Sequence, residues 1–284
     1  LPKCTFTREG YLFAEWTDSV DGDGQSFDDE ECTDVLTNTV DGVVLYAQWS
    51  PIAYAISFDP GEGEGEMDSL ACHYGEESVL PTNTFTLTGH RFSHWKFGDA
   101  TYGDGETIYN LTTESGVVLT FTAQWDAIGY SVEFNANGGT GTMDAMALEY
   151  GDTANLTANA FALTGYAFAG WATTQGADSA EYEDGAQITN LAVEDGAVVT
   201  LYAVWTPIEY TIEFDANGGT GTIDGVTMTF DAAANLPANT FALTGYAFAG
   251  WAASADADTA EYEDGADVQN LASEDGAVVT LYAV

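Results

Sequence analysis

Eight consecutive residues, Thr164-Gly165-Tyr166-Ala167-Phe168-Ala169-Gly170-Trp171, return letter for letter as Thr244 to Trp251. A return at such range restricts the chain to an array of like units, because each period of a repeat is one structural unit. The phrase also stands in altered form as Thr88-Gly89-His90-Arg91-Phe92-Ser93-His94-Trp95 and as Glu9-Gly10-Tyr11-Leu12-Phe13-Ala14-Glu15-Trp16. Three copies close on apolar runs ending in Trp49, Trp125 and Trp205, and the fourth stops at Leu281-Tyr282-Ala283-Val284. These landmarks predict a partial module at 1–50 and modules at 51–125, 126–205 and 206–284. Only Ser50-Pro51 or Thr206-Pro207 separates some neighbours, which predicts stiff joints rather than flexible tethers. A sequence that opens inside one copy and carries no leader reads as a window on a longer polypeptide, with targeting and anchoring segments outside it.

Within the fourth copy the periodicity is that of strands. Ile208, Tyr210, Ile212 and Phe214 alternate with Glu209, Thr211, Glu213 and Asp215, the pattern of a half-buried strand. Val226, Met228 and Phe230 alternate with Thr227 and Thr229 in the same way. Asn217-Gly218-Gly219, lying between them, accept positive φ and predict a hairpin with a wide loop. The signature Tyr246 to Trp251 and the terminal Val278 to Val284 add two strands. The connector Asn235-Leu236-Pro237-Ala238-Asn239-Thr240 leaves room for no more than a short helical turn. The fold class expected is mainly β, about four strands per module with little helix, and an inward aromatic face of Tyr246, Phe248, Phe230 and Phe214.

Three motifs therefore recur in fixed order: Phe214-Asp215-Ala216-Asn217-Gly218-Gly219, then Thr244 to Trp251, then a closing run such as Leu201-Tyr202-Ala203-Val204-Trp205. In these residues the chain resembles the Listeria–Bacteroides repeat family, the B-repeat of internalin B and of many other bacterial surface proteins. The resemblance covers essentially the whole chain. It implies a tandem array of compact β-grasp-like modules, used as a stalk or spacer on extracellular proteins, often adhesins, and it supplies no catalytic residues. The chain departs from the family where Leu163-Thr164 and Leu243-Thr244 replace a common Arg or Lys, and where Asp59-Pro60-Gly61-Glu62-Gly63 replaces Asp-Ala-Asn-Gly-Gly. These departures bear on host-receptor binding, not on the fold.

Charge narrows the partners. With 46 acidic residues against Lys3, Arg8, Arg91 and Lys96, the net charge of −42 repels phosphate backbones and anionic lipid surfaces, so nucleic acid is excluded. No run approaches the roughly 18 apolar residues of a membrane-spanning helix. The plain reading of the acidity is a solvated surface that keeps a long array soluble, or suits it to high salt. The sharper one is divalent-cation binding. Asp18-Ser19-Val20-Asp21-Gly22-Asp23-Gly24, followed by Asp28, Asp29, Glu30 and Glu31, partly resembles an oxygen-rich Ca²⁺ loop, although Ser19 holds its first position. Cys72, His73, His90 and His94 are zinc-type ligands, with His90 and His94 expected on one strand face. Alignment with Met228 turns Cys72 inward while His73 points out, which argues against a shared ion.

Glu181-Tyr182-Glu183-Asp184-Gly185 and its twin Glu261 to Gly265 gather carboxylates as a glycoside hydrolase does. An active site is built once, so recurrence reads as an exposed turn. Leu236 to Thr240 and Leu80-Pro81-Thr82-Asn83-Thr84 resemble a sortase signal only loosely, and the seven Trp residues, fixed to strand ends, read as core rather than a sugar platform. Cys4 and Cys32 fall in one module, where a disulfide can be accommodated, and Cys72 is then a small core hydrophobe. No catalytic, cofactor-binding or metal residues and no cofactors are assigned, and no enzyme is expected. The sequence points to a structural stalk of a bacterial extracellular or cell-surface, adhesin-like protein. Its partners would be its own neighbouring repeats, plus an unassigned protein or glycan, with no membrane insertion. The alternatives are an array of binding modules for glycan, host protein or Ca²⁺, and a self-assembling extracellular filament subunit whose sheet edges pair between chains.

Overall fold

The computed structural model describes residues 1–33 and 42–284, and no described residue is helical. Residues 34–41, part of the expected first module, lie outside the described residues. The chain divides into two compact units, Leu1–Ile128 and Gly129–Val284, and each contains two of the four sequence copies.

The third copy shows the plan. Its lead strand, Gly129–Asn135, pairs antiparallel with Met146–Glu149 and parallel with the closing strand Ala197–Pro207. The closing strand pairs in turn with the signature strand Tyr166–Ala172, antiparallel. The second and fourth copies keep this order around lead strands Ala53–Asp59 and Glu209–Asp215 and closing strands Val118–Ala127 and Val278–Ala283. The second adds an edge strand, Ala100–Tyr102. Parallel neighbours cannot be joined by a tight turn, so the hairpin, connector and signature strand all fall between lead and closing strands in sequence. Part of that long connection forms a two-stranded ribbon, Thr153–Asn155 with Gln187–Thr189 in the third copy.

Alternation in the lead strand fills the core as its sequence predicts: Tyr210 and Ile212 are buried, as are Tyr130 and Val132. Each such side chain contributes about 1.5–3 kcal/mol. Leu156 and Ile188, beside and within the ribbon, join Tyr130, Val132, Trp171 and Leu201 in one cluster, and equivalent clusters form in the second and fourth copies. The connector holds its shape through asparagine. Asn83, Asn159 and Asn239 each accept, on Oδ1, the N–H of Phe85, Phe161 or Phe241 and return Nδ2 to that residue's carbonyl.

The signature strand departs from simple alternation. Phe168 and Trp171 both face the core at odd spacing, and a β-bulge between Phe168 and Gly170 accommodates them. Gly170 sits at φ +135°, where an added Cβ would run into the Tyr182 carbonyl. The same irregularity in the second copy puts His90 and His94 on opposite faces, against the expectation of one shared face. The inward aromatic set also differs from the sequence reading. Phe214, Phe241 and Phe248 surround Trp251, whereas Tyr246 is 77% exposed.

Candidate functional site

The residues that the cores leave over meet between modules. Within the first unit, the strand Tyr46–Pro51 is followed by Ile52 and then by the next lead strand. Ile52 donates its N–H to the Gly10 carbonyl at 2.9 Å, and its own carbonyl accepts the Tyr74 N–H at 3.0 Å. Within the second unit Ile208 does the same between Gly165, at 3.0 Å, and Phe230, at 2.9 Å. Both isoleucines are buried. One residue thus ties the signature turn of one module to the hairpin of the next. Ile128 likewise donates to the Gly89 carbonyl at 3.0 Å. Pro51 and Pro207 stand at the last ladder positions, opposite Tyr11 and Tyr166, where a missing N–H is tolerated.

Aromatic packing completes each of these two joints. The rings of Tyr74 and Phe230 cover Gly10 and Gly165, where an added Cβ would overlap ring atoms. Both glycines also hold positive φ, +75° and +77°, so no other residue satisfies the conformation and the contact together. Tyr11 meets Tyr74 edge-on at 5.8 Å, and Tyr166 meets Phe230 in the same way at 5.8 Å, a favoured ring geometry.

The joint of the third and fourth copies carries a polar clamp besides. Tyr166 donates its hydroxyl to Asp231 Oδ2 at 2.8 Å, and Asn270 Nδ2 donates to Asp231 Oδ1 at 2.7 Å. The Asp231 N–H returns to Asn270 Oδ1 at 2.6 Å. The Asn270 amide, and then the Tyr166 hydroxyl, hold the Asp231 carboxyl below its usual range. The phenol of Tyr166 is raised, first by that same bond to Asp231. Asp231 lies at φ +62°, where the corresponding residues of the second and third copies are Gly75 and Gly151.

The tryptophans fall into two classes. Signature residues Trp16, Trp95, Trp171 and Trp251 are buried with no hydrogen-bond partner for Nε1. In the closing strands, Trp125 and Trp205 donate Nε1 to the carbonyls of Pro60 and Ala136, each at 2.9 Å. They rest on bare glycine, since an added Cβ on Gly63 or Gly139 would strike the indole. They also meet the rings of Phe92 and Phe168 at 6.0 and 5.6 Å.

The other sequence candidates hold local structure. Asp18 Oδ1 accepts the Gln25 N–H, Ser19 donates to Asp23, Asp29 accepts the Cys4 N–H and Glu31 accepts the Asp28 N–H. Asp184 and Asp264, in the repeated acidic runs, accept the N–H of Asn159 and Asn239, as Asp104 does for Asn83. These contacts place the asparagine-held connectors against the turns at Asp104, Asp184 and Asp264. Cys4, Cys32 and Cys72 are free thiols, and Cys72 is buried in the second core. Among the described residues, no three His, Cys, Asp or Glu side chains converge as a metal site. The joint residues Ile52, Ile208, Tyr74, Phe230 and Asp231 were not singled out from the sequence as a site. Their signal was the Pro-Ile pair between copies and an aromatic at the end of each hairpin.

Comparison with a family of known repeats agrees with the four-copy organisation. The model of the Listeria-Bacteroides repeat domain matches residues 1–48, 54–124, 130–204 and 210–284. A glycine-rich protein of Evansella cellulosilytica, named as a candidate membrane protein, is 30% identical over 225 residues, 75% of this chain and 24% of that protein. A second candidate membrane protein of the same organism is 26% identical over 283 residues, 97% of this chain and 38% of its own length. The chain therefore spans well under half of either relative. Among solved structures, the Bacillus anthracis TIE protein aligns over 84% of this chain and 54% of its own, with a TM-score of 0.26 and 9% identity.

Proposed function

Because the chain belongs to the Listeria–Bacteroides repeat family, in four tandem copies, we propose that it is a non-catalytic stalk or spacer of a bacterial extracellular or cell-surface, adhesin-like protein. The observation that carries this reading is the joint. Gly10, Ile52 and Tyr74 in one unit, and Gly165, Ile208 and Phe230 in the other, connect successive modules by the same two hydrogen bonds and the same ring-on-glycine contact. A spacer needs a connection that repeats without slack, and it needs nothing from a cleft. The lead and closing strands, parallel at the centre of each sheet, support a β-grasp-like assignment in which an asparagine-held connector stands in for the helix. The net charge of −42 serves such an array by keeping copies apart. Names of the relatives as candidate membrane proteins support placement at the cell surface.

Small-angle scattering tests the reading. A compact 284-residue domain has a radius of gyration of about 19 Å, and a stalk gives a value well above that, unchanged by millimolar Ca²⁺. A value near the compact figure, or association on adding Ca²⁺, would overturn the inert spacer in favour of an ion-dependent assembly.

A further inference from the structure

Tension applied through the ends of the chain takes a path set by topology. In the third copy Gly129–Asn135 is the first strand and Ala197–Pro207 the last, yet the two are neighbours, paired in parallel from Tyr130 with Ala197 to Asn135 with Tyr202. The second and fourth copies pair residues 55–59 with 118–122 and 211–215 with 278–282 in the same way. Parallel strands start at the same end of a sheet, so the chain enters each of these copies at one end and leaves at the other. A pull along the chain draws the lead strand toward its N-terminus and the closing strand toward its C-terminus, in opposite senses along one shared ladder. The evenly spaced bonds of a parallel pair are then strained together. With antiparallel terminal strands, entry and exit would lie at one end and the bonds would open in turn.

The ladder is reinforced where the chain enters. Gly196 donates its N–H to the Gly129 carbonyl at 2.7 Å, as Gly116 does to Ala53 and Gly276 to Glu209, each at 2.8 Å. Ala55 and Thr211 donate back to the carbonyls of Val117 and Ala277 at 3.0 and 2.9 Å. Sliding would also drag side chains out of the cores, because Val132 and Leu201, Ile56 and Phe121, and Ile212 and Leu281 sit on these paired strands and are wholly buried. In the third copy Met146–Glu149 flanks the lead strand and Tyr166–Ala172 flanks the closing strand, so each loaded strand is held lengthwise on both sides.

We infer that the lead and closing strands of each of these copies form a shear clamp, and that the array has a mechanical function: it resists tension applied through its ends. The hairpin, connector and ribbon lie off the path of the load, because the clamp joins the entry strand to the exit strand directly. Resistance to a pull is governed by the rate of unfolding rather than by equilibrium stability, and a ladder that must fail as a whole slows that rate. The clamp deepens the stalk reading and rests on it for the source of the tension. Scattering tests the stalk and pulling tests the clamp, so each can fail alone.

The test is single-molecule force spectroscopy on the full 284-residue chain, in two formats. In the first, the chain is held by tags at its two ends, and ten Gly-Ser residues inserted after the exposed Gly176 mark the third copy. Each of the second, third and fourth copies should release about 250 Å in one step, and the marked copy about 35 Å more, at an unfolding force that the insertion leaves unchanged. In the second format one handle moves from the C-terminus to Glu149→Cys, with Cys4→Ser and Cys32→Ser, since Cys72 is buried. Gly129 and Glu149 are partners at the end of an antiparallel ladder, so the third copy now opens bond by bond while the second is still loaded through its ends. It should yield with a short step of about 70 Å, at no more than half the force of the second copy in the same trace. Equal forces for the two copies in this format would overturn the clamp. So would an end-to-end force that falls on insertion after Gly176, because the connection would then bear the load.

Discussion

The octapeptides Thr164–Trp171 and Thr244–Trp251 are identical in sequence and differ in structure. In the third copy Tyr166–Ala172 is a continuous seven-residue strand, and in the fourth only Trp251–Ala252 is strand. Tyr166 bonds Asp231 and packs on Phe230, while Tyr246 is largely exposed. Yet Trp171 and Trp251 are equally buried, each with Phe partners at 4.8–6.0 Å. The phrase therefore has two halves with different causes. Its Gly-Trp end is shaped by the core of its own module, and its Gly-Tyr-Ala-Phe end by pairing with Trp205, Thr206 and Pro207 at the end of the closing strand and by the Phe230 ring. Strand formation at the second end follows from pairing rather than from propensity, as expected where context outweighs intrinsic preference.

The largest effect tests the half that is alike. Trp171→Ala and Trp251→Ala should each cost about 3–5 kcal/mol, most of the stability of a module of this size. The loss should appear as hydrogen-exchange deprotection of that module's own lead strand, Gly129–Asn135 or Glu209–Asp215. A much milder Trp251→Ala would break the comparison, because the core end would then depend on a neighbour too. Next comes the half that differs. Both Gly165→Ala and Gly245→Ala incur the left-handed backbone cost of about 1–2 kcal/mol, but only Gly165→Ala also displaces a ring, that of Phe230. It should abolish the Tyr166–Phe230 ring contacts seen by NMR and lower the melting temperature more than Gly245→Ala. Equal losses would mean that the ring on the glycine contributes nothing.

Much of the within-module fold was legible in sequence, because alternation is a local signal. Ile208, Tyr210 and Ile212 read as one buried row and are buried, and the Asn217-Gly218-Gly219 loop joins paired strands as expected. The bulge was legible in principle: Phe168 and Trp171 cannot share a face at odd spacing unless a residue is inserted, and Gly170 between them permits it. The parallel pairing of lead and closing strands left no local trace, since the paired residues are 67 positions apart, as from Phe134 to Leu201. The joint was the least legible part. Phe230 looks like a core residue within one copy, and its role appears only when Gly165 and Tyr166 of one module are set beside Phe230 of the next.

A smaller effect sharpens the comparison at its polar end. Tyr166→Phe removes one solvent-facing hydroxyl bond to Asp231 and should lower the melting temperature slightly, whereas Tyr246→Phe, on the exposed twin, should leave it unchanged. Thermal melts of the two single variants decide it, and equal shifts would show that the clamp is not a determinant of the joint.

The smallest effect is the pH dependence of that clamp. The carboxyl of Asp231 is held below its unfolded value by Asn270 and Tyr166. A group with a depressed folded pKa contributes stability above its unfolded value, about 3.9, and loses it as pH falls through the folded value. The phenol of Tyr166 is raised, so its contribution is complete below the unfolded value of about 10 and is lost as pH rises through the folded one. One hydrogen bond joins the two groups and counts once, so the clamp holds between roughly pH 4 and pH 10 and loosens outside. Both groups face water, so the changes in stability are small. The proximity of the Tyr166 and Phe230 rings, followed by NMR across pH, should fall at both limits. In Tyr166→Phe the alkaline limit should vanish, while the acid limit persists in weaker form through Asn270. An unchanged alkaline limit in that variant would assign the transition to another group and leave the two copies of the octapeptide distinguished by ring packing alone.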